Sequence, residues 1–275
     1  MIPSIAAQQV NAWAAKNTND LIKSVVDEGT MGNPDLAMLL ANALYFKGKW
    51  DQEFKKENTK DVEFNTAINS KAVATMHKFS AAIETRNTSI NVDGVAVPVT
   101  SVKLPYKGKR FSMSIVFANK TNGLNGSSRI QQVNLAVDVL KVYKNTIAQD
   151  SFFTSRQPVM VQTYNKFALP KFKIKSSHKS IHQAMVANGL SEMFAKGVLS
   201  KMSSDPRAQL SFVMQEDIIK VDEEGTEAAA VTVGGVTTTS VPVTFGQLLI
   251  NGPFAYAIRD ELKGTTMFEG VVQEL

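Results

Sequence analysis

The spacing of apolar residues changes period several times along this chain, and each change predicts an element. From Asn91 to Ala118, Val, Ile and Phe recur at alternate positions, with turn signals at Asp93-Gly94 and Lys107-Gly108. That pattern predicts antiparallel hairpins. Residues 158–174 return to the same alternation and end in Leu169-Pro170-Lys171-Phe172, while Ser211 to Val221 (SFVMQEDIIKV) reads as a further strand. Two last strands, Phe254 to Arg259 and Thr266 to Val272, flank a Lys263-Gly264 turn. A helical period appears near the start, where Ile5, Val10, Trp13 and Ala14 share one face behind a Ser4 cap and Asn17 to Asn19 break the run. A second helix is expected from about Ser177 to Asn188, stopped by Gly189, and two surface helices within 119–150. Leu36 to Phe46 (LAMLLANALYF) is apolar at nearly every position. This fits a strand covered on both faces or a buried helix. Strands and helices mix without βαβ alternation, so the expected class is α+β.

Composition narrows the chemistry. The chain has 275 residues, 44% of them hydrophobic and 20% charged, enough for a substantial core. It contains no cysteine, which excludes disulfides, thiolate nucleophiles and cysteine metal sites. The net charge of +5 is spread along the chain, so no nucleic-acid partner is expected. No apolar run reaches the length of a membrane span. The three histidines are His77, His178 and His182; the last two lie four apart on the expected helix, without the glutamate of a catalytic zinc motif. There is no phosphate-binding glycine loop and no Gly-x-Ser-x-Gly elbow. Neither a metal nor another cofactor is therefore expected, and the chain does not read as an enzyme. Sequons at Asn87, Asn119 and Asn125 suit a secreted, extracellular glycoprotein, with an intracellular location as the alternative. Lys166, Lys171, Lys173, Lys175 and Lys179 alternate along one expected strand, where they would form either a solvated face or a surface for a sulfated polysaccharide.

One segment does not suit an ordinary domain. Glu223 to Thr244 is too long for a simple connection between strands. After Glu227 it carries no charge, and from Ala228 to Thr239 it is small or β-branched throughout. If it became a strand, Thr226, Ala228, Ala230 and Thr232 would share one face, all small enough for a packed core. Glu227, Ala229 and Val231 would face outward.

Val221-Asp222-Glu223-Glu224-Gly225-Thr226-Glu227-Ala228-Ala229-Ala230 resembles the hinge of the inhibitory serpins. Other stretches resemble signatures of the same family in the same order: Val10-Asn11-Ala12-Trp13, the run from Leu40 to Trp50 with Phe54, Leu169-Pro170-Lys171-Phe172, Asn251-Gly252-Pro253-Phe254 and Phe268-Glu269-Gly270. The resemblance implies one serpin-like domain over residues 1–275, with mixed sheets, surface helices and a reactive loop at 223–244. It implies that a protease cuts this loop and that Glu224, Gly225, Thr226, Glu227, Ala228, Ala229, Ala230, Val231 and Thr232 act as the insertion hinge. Family spacing puts the cut between Thr239 and Ser240 or at a neighbouring bond. Asn42 and Trp50 are then expected to control sheet opening. The loop offers no Arg, Lys or aromatic anchor, so the expected target is an elastase-like protease or a cysteine protease that accepts small residues.

The chain departs from the family pattern in two ways. Ala74-Thr75 stands where a Pro-Met pair is expected before Met76. The helices and strands that precede the Trp13 helix in the family, roughly its first third, are absent from this sequence, and such an N-terminal segment is an expected partner. The alternatives are a non-inhibitory serpin serving as carrier, chaperone or storage protein, and a truncated serpin without inhibitory activity.

Overall fold

The computed structural model describes residues 2–66, 69–92, 94–118, 160–178, 181–205, 208–226 and 244–275. They fall in two compact units. One comprises Met1–Phe46 with Lys173–Lys220, the other Lys47–Phe172 with Val221–Leu275.

In the first unit, helix α1 (Pro3–Asn17) and a short helix α2 (Glu28–Met31) pack with a three-stranded sheet. Its order is β1 (Leu39–Tyr45), β9 (Phe212–Val221), β8 (Phe172–His178). Pro3 starts α1, where its missing N–H costs nothing, and the capping position is Ile2 rather than Ser4. The buried residues of α1 are Ala6, Ala7 and Ala14, whereas Ile5 and Trp13 are each 45% exposed. Of the expected face, Val10 packs on the core of this unit and Ala14 is buried, while Ala6 and Ala7 rather than Ile5 and Trp13 complete the buried side. Ala7 and Ala14 join Ile22, Val25, Val26, Met214 and Ile218 in one core. Asn11 pins the chain after the helix: its amide donates to Val26 O at 2.9 Å and its oxygen accepts from the N–H groups of Val25 and Val26.

β1 and β9 are parallel, direct neighbours over seven residues, from Leu39↔Phe212 to Tyr45↔Ile218. β1 is a strand, but it is not covered on both faces. Leu39, Ala41, Ala43 and Tyr45 are partly buried against the core, while Leu40, Asn42 and Leu44 are exposed. The expected Ser177–Asn188 helix is shorter, α3 (His182–Ala187). Ser177 and His178 belong instead to β8, where Ser177 donates to the buried Glu216 and Lys175 Nζ lies 3.5 Å from the same carboxylate.

The second unit holds an eight-stranded sheet. Its strands are β3 (Lys60–Asn65), β4 (Ser70–Val92), β5 (Val95–Pro105), β6 (Phe111–Ala118), β7 (Met160–Pro170), β11 (Thr244–Leu249), β12 (Phe254–Asp260) and β13 (Thr265–Val272). The order is β11-β7-β4-β5-β6-β12-β13, with β3 also paired to β4. The hairpin turn at Gly108 (φ +81) and the turn at Gly264 (φ +67) are where the sequence puts them. β4 is 23 residues long and changes partner along its length, from β3 and β7 to β5, with Ser80 at φ +49 along the way. Phe64, Met76, Met113, Ile115, Phe167, Leu169 and Phe254 are fully buried in this unit. Two short strands, β2 (Gly48–Lys49) and β10 (Gly225–Thr226), pair beside it.

Candidate functional site

The hinge sequence leaves β9 and enters a clasp within the second unit. Gly225 pairs with Lys49 and Thr226 with Gly48 in the β10–β2 ladder. Asp222 N–H donates to Gly225 O at 2.9 Å and Gly225 N–H to Asp222 O at 3.2 Å, closing a tight turn. Gly225 has φ +144, and an added Cβ would overlap the Gly48 carbonyl oxygen and lie 2.7 Å from Lys49 Cα. Only glycine fits there. Trp50 N–H donates to Glu224 O at 2.9 Å and Phe54 N–H to Glu223 O at 2.8 Å.

Trp50 forms the floor of the clasp. It is 2% exposed, stacks on Tyr106 with ring centroids 4.6 Å apart, and donates its indole N–H to Asp222 O at 3.0 Å. Tyr106 is buried as well, its hydroxyl 2.9 Å from Thr226 Oγ1, and burial pushes its phenol far above the ordinary range. Thr226, the last described hinge residue, is 1% exposed.

Two buried carboxylates hold the turn from the other side. Glu223, 5% exposed, accepts from Thr59 Oγ1 at 2.7 Å and pairs with Lys171 Nζ at 2.9 Å. Burial pushes its carboxyl up, but the hydrogen bonds from Thr59 and Lys171 outweigh burial and hold it below its usual value. Glu224, 8% exposed, pairs with Lys56 Nζ at 2.6 Å. Lys56 belongs to the 3-10 turn Lys56–Asn58 and Thr59 borders it, so this one turn grips both glutamates. An uncompensated carboxylate at either position would be costly, which makes the clasp specific for this charge pattern.

Of the expected hinge, Glu224, Gly225 and Thr226 lie in this clasp, whereas Glu227, Ala228, Ala229, Ala230, Val231 and Thr232 and the bond between Thr239 and Ser240 lie outside the described residues. Asn42 is exposed on β1, in register with Gln215 of β9. Asn87 is exposed on β4 and accepts from Thr100 Oγ1, while Asn119 and Asn125 lie outside the described residues. The expected lysine stripe is broken up. Lys166 is on β7, Lys173 and Lys175 are on β8, Lys171 and Lys175 are engaged by Glu223 and Glu216, and Lys179 is outside the described residues. His178 and His182 do not share a helix, because β8 runs through His178. No group of three or more metal-ligating side chains occurs among the described residues, and no helix among them is long and apolar enough to cross a membrane. Sequence reasoning missed Lys56, Thr59 and Tyr106, which sit in no motif and meet the hinge only through the fold.

A family model described as serpin (serine protease inhibitor) matches residues 2–275. The chain belongs to the serpin family. It is 31% identical to human Serpin B4 over 270 residues, spanning 98% of this chain and 63% of that protein. It is likewise 31% identical to barley (Hordeum vulgare) Serpin-Z4, again covering 63% of the relative. The crystal structure of Serpin48 from the insect Tenebrio molitor matches at TM-score 0.76 and 26% identity, over the whole of this chain and 66% of that one. The chain thus spans less than two thirds of the length of these three relatives.

Proposed function

We propose that residues 1–275 work as one inhibitory serpin domain that traps a protease as a suicide substrate. Residues 223–244 are the bait. A protease attacks the bond between Thr239 and Ser240, or an immediate neighbour, and an acyl-enzyme forms. The segment from Glu224 to Thr232 then enters the sheet between β1 and β9. The observation that carries this reading is that β1 and β9 are direct parallel neighbours and that in sequence the chain continues from β9 into the residues of the clasp. A parallel pair has no hairpin closing it, so it can part and take one more strand in register. Asn42 lies at the middle of the seam, and Trp50 beneath the turn that must release.

The hinge composition supports insertion, since Thr226, Ala228, Ala230 and Thr232 would be buried at little steric or polar cost. The absence of Arg, Lys or an aromatic near Thr239 directs the target toward an elastase-like protease or a cysteine protease tolerant of small residues. A second reading, a serpin that is cut without trapping, is favoured by the exposure of Leu40 (49%) and Leu44 (36%) on β1. Apolar positions left in water weaken the sheet that would have to accept the loop.

Incubation with an elastase-like and a papain-like protease, followed by a denaturing gel, separates the two. A band of summed mass that survives boiling supports trapping. Cleavage near Thr239 with no such band refutes trapping and leaves the substrate reading.

A further inference from the structure

His77 takes no part in the hinge, yet it holds the turn that grips the hinge. Its side chain is 3% exposed on β4, and Nδ1 lies 3.0 Å from the backbone carbonyl of Asn58. A carbonyl only accepts, so Nδ1 carries the proton in this contact. Nε2 is buried and has no hydrogen-bond partner among the described residues. Asn58 ends the 3-10 turn whose Lys56 pairs with Glu224, and Thr59 beside it donates to Glu223. One neutral imidazole therefore fastens the residue that lies between the two that hold the hinge glutamates.

Protonation would place a charge on Nε2 with no acceptor in reach among the described residues. The charged side chains acting on the ring are Lys166 of β7 and Lys60 of β3, both cationic, and the ring of Phe79 on its own strand lies 6.5 Å away. Nothing in that set compensates an imidazolium except the Asn58 carbonyl, which is already engaged. We propose that His77 is an acid-sensitive latch: when it takes up a proton the ring leaves its pocket, the Asn58 turn loses its anchor, and the clasp on Glu223 and Glu224 loosens. Burial, then Lys166, hold the ring's proton affinity below the ordinary value of 6.5. The opened state therefore binds the proton more readily than the closed one. The clasp is at full strength above pH 6.5 and weakens as the pH falls below it. Glu223, held below its ordinary value of 4.5, remains ionised through that window.

The clasp can be read without any protease, so the latch and the proposed trapping fail independently. Trp50 emission is followed from about pH 7.5 to about pH 5 in a Trp13→Phe background, with and without His77→Asn. Asparagine can keep a donor near the Nδ1 position and does not titrate. The latch predicts a red shift with a midpoint below 6.5 in the parent and a flat profile in the variant. Equal transitions in both, or none in the parent, would overturn it. Should His77→Asn fail to fold, an NMR titration of the unsubstituted chain decides. A His77 ring midpoint below 6.5, tracked by the Trp50 indole N–H, supports the latch; a midpoint at or above 6.5, or an indole that does not follow, refutes it.

Discussion

Replacing Gly225 with alanine tests the clasp at its tightest point. The new Cβ would overlap Gly48 O and sit 2.7 Å from Lys49 Cα and 2.9 Å from Trp50 N, all backbone atoms that no rotamer change can move. The residue would also have to hold φ +144, a region nearly closed to residues with a side chain, at about 1–3 kcal/mol. The chain has one escape, which is to release the clasp. That gives up the hydrogen bonds from Trp50 N–H to Glu224 O and from Phe54 N–H to Glu223 O, together with the indole bond to Asp222 O. At about 1 kcal/mol each, release costs about 3 kcal/mol. Since the backbone overlap adds to the strain, release is the cheaper route and the loss is about 3 kcal/mol, well above the usual effect of a surface substitution. Urea unfolding followed by Trp50 emission in a Trp13→Phe background measures it. Gly264→Ala is the control: its φ is +67 but nothing lies within 4 Å of the added Cβ, so the loss should be about 1 kcal/mol. Equal losses at the two glycines would refute the steric reasoning.

Much of this arrangement is legible in the sequence, and what is not follows from physical causes. The strands flanking Gly94, Gly108 and Gly264 are plain because alternation and turn chemistry agree. β4 is hard to read, since Ala72, Ala74, Ala81 and Ala82 dilute its alternation and its partners change midway. The face of α1 is legible only in part: Val10 and Ala14 lie on the core side as expected, but Ala6 and Ala7, which carry little hydrophobic weight, are buried while Ile5 and Trp13 are exposed. β8 continues through residues that look like a helix start because Ser177 is drawn to the buried Glu216, a contact 39 residues away in the chain. The same distance problem hides the clasp. Lys56 meets Glu224 across 168 residues and Thr59 meets Glu223 across 164. Gly225 and Trp50, by contrast, lie within family motifs and are found at once.

Three further substitutions have expected outcomes. Glu223→Gln should cost about 1–3 kcal/mol in denaturant unfolding, the lower end if the 37%-exposed Lys171 side chain re-solvates easily. Since the Glu223 carboxyl is held below 4.5, its contribution is full above that pH and is lost as the pH falls through the lower folded value; an acid titration of the Glu223→Gln variant should lack that component. Tyr106→Phe removes only the hydroxyl facing Thr226 and should cost about 1 kcal/mol in the same assay. Ala228→Arg would put a charge on the face of the inserted strand and should turn a trapping chain into one that is merely cleaved, read as loss of the gel-stable complex.

Entry of the loop between β1 and β9 can be blocked directly. The chain has no cysteine, so Asn42→Cys with Gln215→Cys introduces a single pair. These residues are in register on adjacent strands, and neighbouring strands lie about 4.8 Å apart, within the reach of a disulfide. With the pair reduced, incubation with an accepting protease should yield the covalent complex; with the pair oxidised, it should yield cleavage alone. A complex formed equally well by the locked chain would contradict insertion between these two strands.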